Sequence, residues 1–159
     1  MSFVFTATGS KFYISNVAVT SEPADAAAYA ALTWVEITGI QTLGQYGDQA
    51  NVINFAVIGD SRVRKSKGAR DAGTMQVTTA HYGDDTGQLA LIAAEATNKN
   101  YAFKVDLPNS ITPSTGTDEL NYFIGLVSGK KENIGTNDNI VARTFDVVIN
   151  SKITVVAAT

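Results

Sequence analysis

YAFKVDL, residues 101–107, is the stretch that decides the fold. Aromatic or aliphatic side chains occupy every odd position, and Lys104 and Asp106 stand between them. Because successive side chains of a β-strand point to opposite faces, this alternation predicts a strand with one buried face and one wet face. RTFDVVIN, residues 143–150, has the same pattern and predicts a second strand of this kind.

Four more segments are rich in β-branched and aromatic residues and are bounded by Gly, Asn or Asp, which is typical of strands. They are residues 32–38, 51–58, 74–82 and 120–128. Two of them, 51–58 and 120–128, are apolar on both faces. We expect these two in the middle of a sandwich or at a contact between subunits.

One helix is predicted over about residues 85–97. Asp85 with Gln88 three residues later is a capping-box variant. An apolar stripe at helical spacing follows, formed by Leu89, Ile92, Ala93 and Ala96. A single short stripe predicts a helix that packs flat on a sheet.

The predicted fold class is mainly β: a β-sandwich or squashed barrel with one flanking α-helix and an extended β-hairpin. No shift in composition divides the chain, so residues 1–159 are expected to form one domain. Residues 21–31 are expected to form a loop with room for one helical turn.

Composition and motifs argue against an enzyme. The chain has no Cys, which excludes disulfides, thiolate metal sites and a Cys nucleophile. The lone histidine, His81, has Asp84 and Asp85 nearby in sequence, but those carboxylates are better explained by helix capping. The Gly39–Gly44 segment lacks the ending of a phosphate-binding loop. We therefore predict no catalytic residue, cofactor, metal ligand or small-molecule substrate.

No membrane contact is predicted either, since no stretch approaches the roughly 20 apolar residues that span a bilayer. The N-terminal sequence does not have the pattern of a signal peptide, so synthesis in the cytoplasm of the producing cell is expected.

Charge is unevenly distributed along the chain. Residues 60–71 contain five basic and two acidic side chains, a balance of +3, while the remaining residues have 7 basic and 13 acidic ones, a balance of −6. A basic segment on an acidic body has three explanations: a solvated hairpin, docking onto an acidic patch of a neighbouring subunit, or nucleic-acid binding. No aromatic residue lies between the basic ones to stack on bases.

The order of the segments resembles that of the tail tube proteins of long-tailed phages, over nearly the whole chain. The segments are residues 11–15, 34–47, 51–55, 59–68, 71–77, 85–90, 101–105 and the strand that leads to 149–153. The same fold is shared by the tube proteins of contractile tails and by the ring protein of the type VI secretion system, and tail terminators are related.

The resemblance implies a structural virion protein whose hexameric rings stack into a hollow tail tube that conducts phage DNA into the host. Its expected partners are further copies of itself, a tape-measure protein and a tail terminator. Six copies of −3 give −18 per ring, and an acidic lumen would repel DNA phosphates. The alternatives are a tail terminator or secretion-type ring protein that stops at one hexamer, and a nucleic-acid-binding module.

The resemblance also implies where subunits meet. A hairpin over about residues 51–67 would reach an adjacent subunit or ring, and inner strands of six subunits would join into one barrel, which closes the open sheet edges. The implied interface residues are Asn51, Ile53, Phe55, Arg62, Arg64, Lys65 and Lys67.

Overall fold

The computed structural model describes residues 4–112 and 114–159. Its elements confirm the mainly β class. They are β1 (Lys11–Ser15), α1 (Ala26–Ala30), β2 (Trp34–Ile37), β3 (Ile40–Leu43), β4 (Gln49–Phe55), β5 (Arg64–Asp71), β6 (Thr74–Ala80), α2 (Thr86–Glu95), β7 (Tyr101–Leu107), β8 (Glu119–Asn133), β9 (Ala142–Ile149) and β10 (Thr154–Val156).

Eight strands form one antiparallel sheet in the order β2-β1-β7-β8-β9-β6-β3, and β10 also pairs with β8. The long strand β8 connects two halves of the sheet, a first half with β2, β1 and β7 and a second half with β9, β6 and β3. Residues of β8 before Gly125 pair with β7, and residues after it pair with β9. A Cβ at Gly125 would lie 2.6 Å from the carbonyl oxygen of Val148, so only glycine fits at this junction.

The core lies where the two halves of the sheet face each other. Phe12, Phe103 and Phe123 come from the first half, and their rings follow one another at centroid distances of 5.6 Å. Val77 and Phe145 of the second half belong to the same fully buried cluster. Full burial of such a side chain contributes about 1.5–3 kcal/mol each.

A second, smaller cluster covers the other face of β7 and β8. Tyr29 of α1 stacks on Tyr122 with ring centroids 5.2 Å apart, and Ala102 and Ile124 pack beside them. Asp25 caps α1 by accepting a hydrogen bond from the Ala28 amide, which confirms the helical turn within 21–31.

The two clusters test the predictions for the strand segments 101–107 and 120–128. Phe103 and Val105 are buried, as the alternation of 101–107 predicts. The prediction that the other face is wet is wrong, because the second cluster covers it: Ala102 is fully buried, and Lys104 and Asp106 are half-buried. Tyr122 and Phe123 are consecutive and both buried, one in each cluster. Segment 120–128 is therefore confirmed as a strand in the middle of the sandwich.

Helix α2 begins where the sequence predicts, but it packs through a different stripe. The Asp85 carboxylate accepts a hydrogen bond from the Gln88 amide at 2.8 Å. The predicted stripe is wrong: Leu89, Ala93 and Ala96 are exposed and Ile92 is half-buried. The buried face consists of Gly87, Gln88, Leu91 and Ala94.

Close approach of α2 to β2 explains this rotation of the helix. A Cβ at Gly87 would meet the carbonyl oxygen of Glu36 at 2.2 Å, so the glycine brings the two backbones into contact. The buried Gln88 amide then donates to the carbonyls of Thr38 (3.1 Å) and Ala80 (2.8 Å). Gln88 thus links the helix to two strand ends instead of closing a capping box.

Candidate assembly surface on the hairpin

Strands β4 and β5 form a two-stranded antiparallel ribbon outside the main sheet. Every residue from 51 to 67 is exposed to solvent. The extended hairpin predicted over about 51–67 is therefore present, with its strands bounded at 49 and 71. Of the two positions expected for segment 51–58, the middle of the sandwich is wrong, because β4 pairs only with β5 and residues 51–58 are exposed. A contact between subunits stays a prediction.

The pairing register assigns the predicted interface residues to two faces of the ribbon. Directly opposed residues in an antiparallel pair project to the same side. Phe55 lies opposite Arg64, and Ile53 lies opposite Ser66. We call this side the apolar face: Ile53, Phe55, Arg64 and Ser66.

On the other side, Asn54 lies opposite Lys65 and Val52 opposite Lys67. We call it the lysine face: Val52, Asn54, Lys65 and Lys67. The basic residues form one segment in the sequence, but alternation along β5 places Arg64 and Lys65 on opposite faces.

Two of the predicted residues lie outside this regular pairing. Asn51 falls where the register shifts between Ala50 and Val52, so it has no directly opposed partner. Arg62 belongs to the connection between the two strands, and its amide donates to the Asp60 carboxylate at 3.1 Å.

Exposed apolar side chains are concentrated on the ribbon and its tip. Phe55 is 65% exposed, Ile53 53% and Val52 54%. The tip adds Val57, Ile58 and Val63, which were not among the predicted site residues. The signal for them is present in the sequence as apolar residues on both sides of the turn residues Gly59 and Asp60. Contiguous exposed apolar surface of this kind marks an interaction site.

The basic side chains of the ribbon form few and weak ion pairs within the chain. Arg64 pairs with Asp60 at 3.4 Å and Arg70 pairs with Asp48 at 4.0 Å, both at exposed positions where such pairs contribute little. Lys65 and Lys67 make no ion pair with any residue that the structure describes. The ribbon can therefore offer its cations to a partner at small cost.

His81 does meet a carboxylate, although a different one from those close in sequence. Its Nδ1 lies 3.3 Å from Glu132, and Glu132 also accepts a hydrogen bond of 2.7 Å from the buried Arg143. Desolvation by burial opposes a fall in the pKa of Glu132, but the hydrogen bonds from Arg143 and His81 outweigh it and lower that pKa. Through these contacts, Glu132 of β8 links the end of β6 to β9. A carboxylate whose pKa is lowered is also a weaker base.

Other sites for chemistry are not apparent in the described part of the chain. No group of three or more His, Asp or Glu side chains is gathered where it could hold a metal ion, among residues 4–112 and 114–159. Neither α1 nor α2 is long and apolar enough to cross a membrane.

The fold matches solved components of phage tails and contractile injection systems. The SPP1 tail tube aligns with a TM-score of 0.66 at 13% identity, over 93% of this chain and 76% of that chain. A chain of the PVC extracellular contractile injection system sheath-tube complex gives a TM-score of 0.68 at 8% identity, over 98% of this chain and 93% of that chain. The PVC sheath/tube terminator gives 0.70 at 8% identity, over 98% and 99%. At these identities the likeness concerns the fold.

The family model for phage tail tube proteins matches residues 6–158. The chain belongs to the phage tail tube protein family, and it has the structural role of that family in the phage tail. This confirms the resemblance seen in the order of the strand segments. No curated protein matches the sequence.

Proposed function

We propose that this protein assembles into hexameric rings that stack head to tail into a hollow tail tube, and that the tube conducts phage DNA. The observation that carries the proposal is the ribbon: 17 consecutive exposed residues, 51–67, with apolar side chains that no other part of the described chain covers. In a monomer, an exposed apolar surface of this kind promotes aggregation, whereas in an assembling subunit it can form the contact with a neighbouring copy.

The two edges of the main sheet support assembly as well. Strands β2 and β3 end the sheet order, so each presents unpaired backbone groups along one side. Ring closure would pair or cover such edges and remove the risk of uncontrolled aggregation. The described residues contain no cluster of His, Asp or Glu side chains that could hold a metal ion, which is compatible with a structural role.

The working context that we propose follows from the family. The protein is made in the host cytoplasm, polymerises around a tape-measure protein and is capped by a tail terminator. No cofactor and no small-molecule substrate takes part. The net charge of −3 per chain keeps the repeated surface acidic, so DNA phosphates are repelled from most of it and the DNA can slide.

Electron microscopy of the purified protein, with and without a tail-tip initiator, tests the proposal. We expect hollow filaments built from six-fold rings. Closed hexamers that never extend would favour a terminator or secretion-type ring protein instead. A strict monomer under every condition would overturn self-assembly.

DNA binding provides the contrast with a nucleic-acid-binding module. A tube that conducts DNA should bind it weakly, whereas a binding module should show strong, salt-sensitive affinity that is lost when Arg62, Arg64 and Lys65 are neutralised together. A filter-binding titration at two salt concentrations separates the two outcomes.

A further inference from the structure

Three strands bring one titratable side chain and two charged ones together at the end of β6. His81 directly follows β6, Glu132 lies in β8 and Arg143 lies in β9, and the register places Glu132 opposite Arg143. The His81 amide also donates to the Val141 carbonyl at 2.9 Å. His81 is therefore bonded to the last residue of the connection between β8 and β9, residues 134–141.

The imidazole ring of His81 lies between a carboxylate and a guanidinium. Its Nδ1 is 3.3 Å from Oε2 of Glu132, and Nη2 of Arg143 is 3.0 Å from Nδ1 and 3.2 Å from Nε2. Because Nη2 is almost equally far from both ring nitrogens, and Cε1 occupies that position in the ring plane, the guanidinium lies over the ring. This arrangement fits an uncharged imidazole, which accepts a guanidinium on its face and donates from Nδ1 to Glu132.

Protonation of the ring changes the charge balance of the cluster. Arg143 keeps its charge at all working pH values, and Glu132 stays ionised because its pKa is lowered. Histidine is the side chain whose charge ordinarily changes between about pH 5 and 8. Once His81 takes up a proton, two cations within 3.2 Å of each other share one carboxylate, and Oε1 of that carboxylate already accepts from Arg143 Nε at 2.7 Å.

No second carboxylate pairs with His81 among the residues that the structure describes. Lys131 of β8 pairs with Asp146 instead. The other titratable side chains that the adjoining segments contribute are Lys130 of β8, Asp138 of the connection, and Tyr82, Asp84 and Asp85 after His81. Lys130 lies two residues before Glu132, on the same side of β8, so its charge adds to the repulsion.

His81 is the member of the cluster that can move. Its side chain is 40% exposed, whereas that of Arg143 is 7% exposed and bonded to Glu132. Moving His81 disturbs its amide bond to Val141 and also the bond of 3.3 Å from the next amide, that of Tyr82, to Oε1 of Gln88. Protonation should therefore loosen the β8–β9 connection.

We propose that His81 is a pH-sensitive latch. Uncharged, it packs against Arg143 and holds the β8–β9 connection at the end of β6; protonated, it leaves Arg143 and releases that connection. The connection carries Ile134 and Ile140, which are 68% and 75% exposed, so the latch controls how firmly an apolar segment is held. The latch is a property of the folded chain and does not depend on assembly into a tube.

NMR of the unassembled protein tests the geometry of the latch first. His81 is the single His of the chain, so its ring signals are identified without further variants. Long-range correlations between the ring protons and nitrogens report which nitrogen carries the proton. At about pH 7.5 we expect an uncharged ring with the proton on Nδ1. A proton on Nε2 would overturn the arrangement.

Amide hydrogen exchange then tests the release. After correction for the intrinsic exchange rate, the protection factor of the His81 amide should fall at least about threefold between about pH 7.5 and 5.5. The Ile149 amide, which donates to Gly73 at 3.0 Å near the other end of β9, is the internal control and should keep its protection. An equal fall at both amides would indicate general loosening and would overturn the latch.

The matched variant is His81→Gln, which removes the titrating group at an exposed position. The amide at position 81 should then keep one protection factor over the same pH range. The latch is wrong if the natural protein shows no fall, or if the variant shows the same fall.

Discussion

Arg64 and Lys65 are adjacent in the chain but lie on opposite faces of the ribbon, Arg64 opposite Phe55 and Lys65 opposite Asn54. A basic run that looks like one surface in the sequence is therefore two surfaces in the fold. One combines a cation with aromatic and aliphatic side chains, and the other is mainly polar and cationic. Only the first has the composition of an interface centre.

This separation predicts unequal effects of charge reversal. Arg64→Glu places a carboxylate beside Phe55 on the apolar face of the ribbon, so we expect the critical concentration for polymerisation to rise at least tenfold, equivalent to about 1.4 kcal/mol per contact. Lys65→Glu changes the lysine face and should have a several-fold smaller effect. Sedimentation of assembled material across a concentration series measures both. Equal effects would show that the two faces are not distinguished in assembly.

Neither substitution should disturb the fold, because residues 51–67 are exposed throughout. Substitutions at such positions usually change the free energy of unfolding by no more than about 0.5 kcal/mol. Thermal unfolding of both variants at low concentration is the control that separates lost assembly from lost folding.

Helix α2 depends on glycine at position 87. A methyl group there would clash with the Glu36 carbonyl group and the Ile37 Cα, and because these atoms are backbone of β2, no flexible side chain can yield. We expect Gly87→Ala to lower the free energy of unfolding by about 1–3 kcal/mol, the range of overpacking strain. Gly59→Ala is the matched control, since nothing lies within 4 Å of a Cβ at Gly59. Urea denaturation compares the two, and equal stability would contradict the close contact.

Asp85 has two structural tasks at the start of α2. Its carboxylate caps the helix through the Gln88 amide and also accepts a hydrogen bond of 2.6 Å from the Thr38 hydroxyl. We expect Asp85→Ala to cost about 1–2 kcal/mol, because loss of an N-cap alone typically costs about 1 kcal/mol. Asp85→Asn, which keeps an acceptor, should recover part of the loss. Chemical denaturation at neutral pH gives both values.

The lowered pKa of Glu132 predicts an acid-dependent part of the stability. The folded state holds this carboxyl ionised at pH values where the unfolded chain, with a pKa of about 4.3, already binds a proton. Its contribution is therefore complete above about pH 4.3 and is lost as the pH falls through the folded value. Glu132→Gln should flatten this part of the pH profile of the urea midpoint.

The control for this titration is Glu22→Gln. Glu22 is exposed and makes no ion pair with the described residues. That variant should keep the pH dependence of the natural protein. A Glu132→Gln profile that coincides with it would show that the Arg143 and His81 contacts do not stabilise the fold.

Local pattern was sufficient for several of the strands, whereas the extended hairpin was implied by the family resemblance. Alternation in 101–107 and 143–150 reports burial directly, because a strand has only two faces and one of them must be apolar to join a core. The Asp85 cap was predictable for the same reason, since its hydrogen bond to the Gln88 amide spans three residues. The order of these segments was enough to indicate the tail tube family.

Tertiary structure decided what depended on distant residues. The buried stripe of α2 is set by contact with Glu36 at Gly87, about 50 positions away, so spacing within the helix selected Leu89 where packing selects Leu91. Segment 51–58 is as apolar as a core strand, yet it lies outside the main sheet, because β4 pairs only with β5 and the two form a separate ribbon. Sequence alone determined that the chain is a β-rich structural subunit with a basic hairpin. Only the fold decided which side chains lie beside each cation, Phe55 beside Arg64 and Asn54 beside Lys65, because this depends on the pairing register of β4 with β5.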